Sequence, residues 1–202
     1  MLPLDDRGVE LFTTRAADHT PHPTSRQYVY RPPMSPIPGQ ATASAGGRSF
    51  DLTARITRAA GDEGVLWATG TENSGISVFV QDDRLVVDYN AFDDHMIVES
   101  DRPVPNGDVS LHVHLERDSR TTGWCEIAID GKPAGRADIP FYMRMISSVG
   151  ASVGYDHGSP VSARYAAPFA FTGTLHEVVI QLPQKRSAAE IETTTRAEMS
   201  RQ

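Results

Sequence analysis

Two histidines stand two residues apart in Asp108–Glu116, DVSLHVHLE. Residues two apart on a strand share a face, with Cβ atoms roughly 6.5–7 Å apart. His112 and His114 can therefore bind one metal or contact one ligand together. The same alternation puts Val109, Leu111, Val113 and Leu115 into a core and leaves Ser110, His112, His114 and Glu116 on the opposite face. In the next apolar run, Trp124, Glu126 and Ala128 share a face if Cys125, Ile127 and Ile129 are core. Antiparallel pairing would set His112 or His114 beside Trp124 or Glu126. Histidine and glutamate side chains move protons when they are held against a substrate. That makes His112, His114 and Glu126 the candidate acid–base groups and Trp124 a candidate contact for a ring. The same pattern also describes a solvated polar face. A metal centre is not expected, because no third ligand can be named.

Other constellations are less pointed. VDYNAFDDHM holds Tyr89, Asn90, Asp93, Asp94 and His95, and reads as a loop. It could supply acid–base groups, oxygen ligands for calcium or only turn chemistry. Tyr89 is the second candidate stacking surface and His95 a candidate ligand contact. After Pro140 comes an adaptable apolar run, Phe141 to Met145. It reads as a core edge, or as a pocket wall in which Tyr142 and Met143 line a ligand and Arg144 presents charge to it. There is no Gly-x-Ser-x-Gly, no Cys/His pair in a recognisable context and no phosphate-binding glycine loop.

These residues need elements to hold them, and from Arg48 to Leu182 the pattern is mostly period two. Phe50, Leu52, Ala54 and Ile56 alternate with polar neighbours, as do Ile76, Val78 and Val80. Turn chemistry fills the gaps at Gly61-Asp62, Asp82-Asp83, Asn106-Gly107 and Asp130-Gly131. About ten short strands and no long helix predict an antiparallel two-sheet β-sandwich over 48–182. Six of the fourteen prolines lie between Pro21 and Pro38. Residues 1–47 are accordingly read as a lead and an extended strap, anchored by Tyr28, Tyr30, Met34 and Ile37. Residues 183–202 form a polar tail, frayed or disordered, with Ser187 and Glu190 at capping-box spacing.

Composition narrows the partners. The chain has 202 residues, 39% hydrophobic and 22% charged, with a net charge of −7. That balance argues against nucleic acid and anionic membrane surfaces. No run of apolar residues is long enough to span a bilayer as a helix. The lone Cys125 excludes an internal disulfide and a cysteine-rich zinc site. MLPLDDRGVELF has neither a basic start nor an apolar run, so a cytoplasmic protein is the expectation.

The block GYDHGSPVSARYAAPFAFTGTLHEVVIQL resembles the closing segment of the C-terminal β-sandwich domain of bacterial arylsulfatases. Gly154, Asp156, Gly158, Pro160, Val161, Tyr165, Pro168, Phe169, Phe171 and Gly173 carry the likeness. EGVLWATG with GISVFVQDDRLVVDYN, and the opening LPLDDR, are similar to other parts of the same domain, so the resemblance runs from Leu2 to about Leu182. It implies a concanavalin- or laminin-G-like jelly roll. It also implies that the sulfatase domain is missing: Cys125 is followed by Glu126, Ile127, Ala128 and Ile129 rather than by a Cys-x-Pro-x-Arg motif. The chain would then be the ancillary domain alone, unable to hydrolyse sulfate esters by the family mechanism. In this pattern Asp156 orders a loop, Phe169 and Phe171 feed the core, and His157 sits at a free position, which makes it a candidate ligand contact. His176 reads as a structural histidine beside a bulge in the last strand.

Two functions follow as expectations. The first is a small-molecule-binding sandwich, repurposed as a cofactor-free tailoring enzyme that shapes its substrate and moves protons through His or Glu. The alternative is a non-catalytic carbohydrate-binding domain, or an interaction domain that pairs with a separate sulfatase or with its own copies.

Overall fold

The alternation of apolar and polar residues folds into two antiparallel sheets laid face to face. The structure is a computed structural model and describes residues 26–43, 49–119, 121–139 and 150–183. The lead before Arg26, the tail after Pro183 and the 140–149 run with Tyr142, Met143 and Arg144 lie outside the described residues.

One sheet holds β1 (Arg26–Tyr30), β2 (Phe50–Arg58), β7 (Gly107–Arg117), β8 (Gly123–Ile129), β9 (Lys132–Ile139) and β11 (Thr174–Leu182). Its strand order is β1-β11-β2-β7-β8-β9. The other holds β3 (Gly64–Thr71), β4 (Ser74–Gln81), β5 (Arg84–Ala91), β6 (Asp94–Glu99) and β10 (Ala151–Val153). Its order is β10-β3-β4-β5-β6. A short 3-10 turn, Gly39–Ala41, is the one helical element among the described residues.

The core is the set that the period-two pattern selects. Phe50, Leu52, Ala54 and Ile56 of β2 face Leu66, Trp67, Ile76, Val78 and Tyr89 of the other sheet, together with Leu111, Val113 and Ile127. Burying each of the larger side chains stabilises the fold by about 1.5–3 kcal/mol. The strap contributes too. Tyr30 and Ile37 are buried, and Tyr28 and Met34 pack against the same cluster. Ile37 exchanges two backbone hydrogen bonds with Ala151 at 2.7 and 3.0 Å, which extends the edge beyond β10.

Tyr89 and its neighbours correct the sequence reading. VDYNAFDDHM is not a loop but a hairpin, β5 turning into β6 through Phe92 and Asp93, with Asn90 opposite His95. Both turn residues have positive φ, 58° and 72°. Such turns favour Asn-Gly, and a phenylalanine in the first position hid the signal. Along β5, Leu85, Val87, Tyr89 and Ala91 point inward, so Tyr89 is only 1% exposed and presents no surface to a ligand.

The long segment from Gly154 to Gly173 covers the outer face of the five-stranded sheet. Val65, Ala68, Phe79, Val86 and Val161 form a second buried cluster there, with Tyr165 and Phe169 packed on it. Phe79 meets the edge of Tyr165 at 5.1 Å, and Tyr165 stacks on Phe169 at 5.1 Å. Phe169 and Phe171 thus part company: Phe171 packs against the main core, Phe169 against the outer cluster. Gly64 lets the segment come close. Its φ is +130°, and an added Cβ would lie 2.4 Å from the Phe171 Cα.

Candidate functional site

Beside its apolar cluster, the covered sheet face carries polar side chains that hydrogen-bond within or to the segment. Asp156 accepts the Tyr165 hydroxyl at 2.6 Å and the Val161 N–H at 2.9 Å, the loop-ordering role expected of it. Burial raises its carboxyl above the usual aspartate range, against the pull of those hydrogen bonds. Asp88 lies deeper, with no exposed surface. It accepts the Ser162 hydroxyl at 2.5 Å and meets His95 Nδ1 at 2.9 Å. Burial raises this carboxyl as well, opposed by Ser162 and His95. Here the carboxylate stands between serine and histidine. A nucleophilic triad needs the imidazole in the middle, so this trio pins the segment rather than activating Ser162. His95 is therefore part of the clamp. His157 lies in the same segment; its N–H donates to Ser152 Oγ at 3.3 Å, and its Nδ1 is buried without a hydrogen-bond partner.

The outer face of the six-stranded sheet is different: no described segment lies across it. Antiparallel pairing sets His114 opposite Glu126, and Glu116 opposite Trp124. The sequence places these residues together, and the structure keeps them so. His114 Nδ1 meets Asp51 at 2.6 Å, and its Nε2 is 3.4 Å from Glu116. The His114 and Trp124 rings lie 4.9 Å apart. The Arg136 guanidinium lies over the indole, 3.8 Å from the ring centroid, and sits 3.9 Å from Glu126. The result is a cluster, His114–Trp124–Arg136, with the guanidinium over the indole and the imidazole tilted against it, ringed by carboxylates. His112, two residues back, is held at both ring nitrogens by Thr53 and Ser110, each at 3.1 Å.

Further along the same face, an open groove of about 590 Å³ is bounded by Arg31, Arg55, Asp108, Asp130 and His176. Arg31 and Arg55 both reach Glu177, at 3.0 and 3.1 Å. The Thr57 hydroxyl bonds to Asp108, and to His176 Nε2 at 2.7 Å. The expected bulge falls between Leu175 and Glu177. It turns His176 outward, so this histidine is exposed at the groove rather than enclosed. The sequence reading missed the groove because its walls come from β2, β7 and β11 and from Arg31 just beyond β1. Only the Asp108-x-Ser110 alternation hinted at it. A second hollow, of about 250 Å³, lies between Pro32, Met34, Tyr155, Phe171 and Leu175. Among the described residues no group of three or more His, Cys, Asp or Glu side chains is placed to hold a metal ion. Cys125 is buried in the core, and burial pushes its thiol up to about 12.

No family model and no curated protein matches the chain. Among solved structures it is similar to the CBM40 of the Ruminococcus gnavus IT-sialidase, with a TM-score of 0.54 and 15% identity over 84% of this chain and 98% of that one. It is similar to the NanB sialidase of Streptococcus pneumoniae, at 0.54 and 13%, over 83% of this chain and 27% of that enzyme. It is also similar to the LG1-3 region of the laminin alpha2 chain, at 0.51 and 13%, over 76% of this chain and 30% of that one. The chain spans nearly all of the first and less than a third of the other two. The fold is thus an antiparallel jelly-roll sandwich of the kind found in CBM40 and laminin G domains.

Proposed function

We propose that this chain is a carbohydrate-binding β-sandwich whose ligand lies on the outer face of the six-stranded sheet. One observation carries the proposal: that face is uncovered by any described segment and bears the His114–Trp124–Arg136 cluster among carboxylates, whereas the opposite sheet is sealed by residues 154–173. Sugars are held by an aromatic or guanidinium plane flanked by charged hydrogen-bonding groups, and this face supplies both. The CBM40 likeness supports the reading at the level of the fold; the function rests on the site. Arg136 covers one side of the indole, but an exposed cation–π contact is worth only about 0.5–1 kcal/mol. A sugar ring can displace it.

Catalysis draws less support. His112 is tied at both nitrogens, His114 is held by Asp51 and Glu116, and Glu126 faces Arg136. These groups hold each other along the strands instead of converging on one point. The segment that resembles arylsulfatases acts, on this proposal, as a clamp on the other sheet and takes no part in binding. The test is binding to an array of oligosaccharides by wild type and Trp124→Ala. Binding that Trp124→Ala abolishes supports the proposal, and binding that ignores this change refutes the site.

A further inference from the structure

Trp124 and the Arg31/Arg55 groove lie on one continuous face, and nothing in the sequence reading joined them. Both border β7: Ser110 lines the groove, and the His114 ring packs at a tilt against Trp124. Ser110 and His114 are four positions apart on the strand, roughly 13–14 Å at the usual rise. That is longer than two sugar rings laid end to end. The intervening strip carries Thr53, His112 and Ala128.

The charges on this face are lopsided. Arg31, Arg55 and Arg136 stand against Asp51, Asp108, Glu116, Glu126, Asp130, Asp138 and Glu177. Among the described residues, three positive charges against seven negative leave a balance of −4 with the histidines neutral, and the whole chain carries −7. The groove's two arginines already share Glu177. A sulfated or carboxylated glycan brought here meets net repulsion, felt over about 8 Å at physiological salt. An uncharged glycan meets no such barrier, and both donors and acceptors await its hydroxyls: guanidinium groups, imidazole, Ser110, Asp108 and Asp130.

We infer that the outer face of the six-stranded sheet is an extended cleft with two subsites, at Trp124 and at the Arg55/His176 groove, for an uncharged oligosaccharide chain lying along β7. The inference rests on the carbohydrate-binding reading and adds to it the length and charge class of the ligand.

The test uses the full chain and three ladders of one to six units: β-linked N-acetylglucosamine, β-linked glucose and, as the anionic control, galacturonic acid. Wild type is expected to bind at least one uncharged ladder, with affinity rising about tenfold or more from the disaccharide to the hexasaccharide. The galacturonic ladder should bind more weakly at low salt and recover as salt rises. In the double variant Asp108→Asn with His176→Ala, short ligands should bind as in wild type and the gain with length should vanish. These substitutions sit on exposed groove walls, and unchanged short-ligand binding reports an intact fold. The inference is overturned if affinity does not rise with length, if the gain survives in the groove variant, or if the anionic ladder binds as tightly as the uncharged ones. In each of those cases binding that still depends on Trp124 leaves the proposed function standing. If no ladder binds, both fall.

Discussion

The Tyr165 hydroxyl donates to Asp156 at 2.6 Å and lies 2.8 Å from Ser77 Oγ. One phenol thereby ties the covering segment to the sheet beneath it and satisfies a buried carboxylate. Tyr165→Phe keeps the ring stacked on Phe169 and removes only the oxygen. Asp156 would then retain the Val161 N–H as its remaining described partner. Leaving a buried acceptor short of a partner costs about 1–3 kcal/mol. The urea midpoint of Tyr165→Phe should fall by the corresponding amount, and an unchanged midpoint would show that the clamp does not depend on this bond.

Asp88 and Asp156 both carry carboxyl groups raised above the ordinary value of 3.8, chiefly by burial. A raised folded-state value means that the folded protein holds the proton more tightly than the unfolded chain. The stability these groups contribute is full below 3.8 and is lost as pH rises through the folded values. Asp83 works the other way: its hydrogen bond from Arg58 lowers its carboxyl, so its contribution is present above 3.8 and lost as pH falls. Asp88→Asn isolates the first effect. Relative to this variant, wild type should lose stability as pH rises above 3.8. Urea unfolding across that range checks the sign, and a relative gain for wild type with rising pH would contradict it.

Much of this site was legible because strand alternation is a strict rule. Once Val113 and Leu115 are core, His114 must face outward, and antiparallel pairing of β8 with β7 brings Trp124 and Glu126 alongside it. The bulge at His176 followed from the same rule, since Leu175 and Val178 cannot both face inward without an extra residue. The rest depends on placement that alternation does not encode. Tyr89 has the same alternation whether its partner sheet covers it or not. The groove needs Arg31, Asp108 and His176 to meet from parts of the chain far apart in sequence. Arg136 over Trp124 depends on the register shift between Ile127 and Ala128, opposite Pro133 and Gly135, which alternation alone does not place.

Phe92 is 70% exposed at the tip of the β5–β6 hairpin, with φ at 58°. A bulky L-residue in the left-handed region costs roughly 1–2 kcal/mol, while asparagine visits it readily. The exposed ring gives little burial in return. Phe92→Asn should therefore raise the urea midpoint, by the equivalent of about 0.5–1 kcal/mol. A fall instead would mean that the Phe92 ring makes contacts that hold the hairpin.

Arg136 lies over Trp124 at 3.8 Å from the ring centroid, and its side chain is 51% exposed. The chain has two tryptophans, and the other, Trp67, is 1% exposed in the core. Collisional quenching of indole fluorescence therefore reports on Trp124. Arg136→Ala should increase the quenchable fraction and cost no more than about 1 kcal/mol of stability, the worth of an exposed cation–π contact. The same variant frees the ring face on which the proposed sugar would stack. Short uncharged oligosaccharides should then bind Arg136→Ala as well as wild type or better. Weaker binding would make Arg136 itself a direct ligand contact, and unchanged quenching would mean that the guanidinium does not shield the indole in solution.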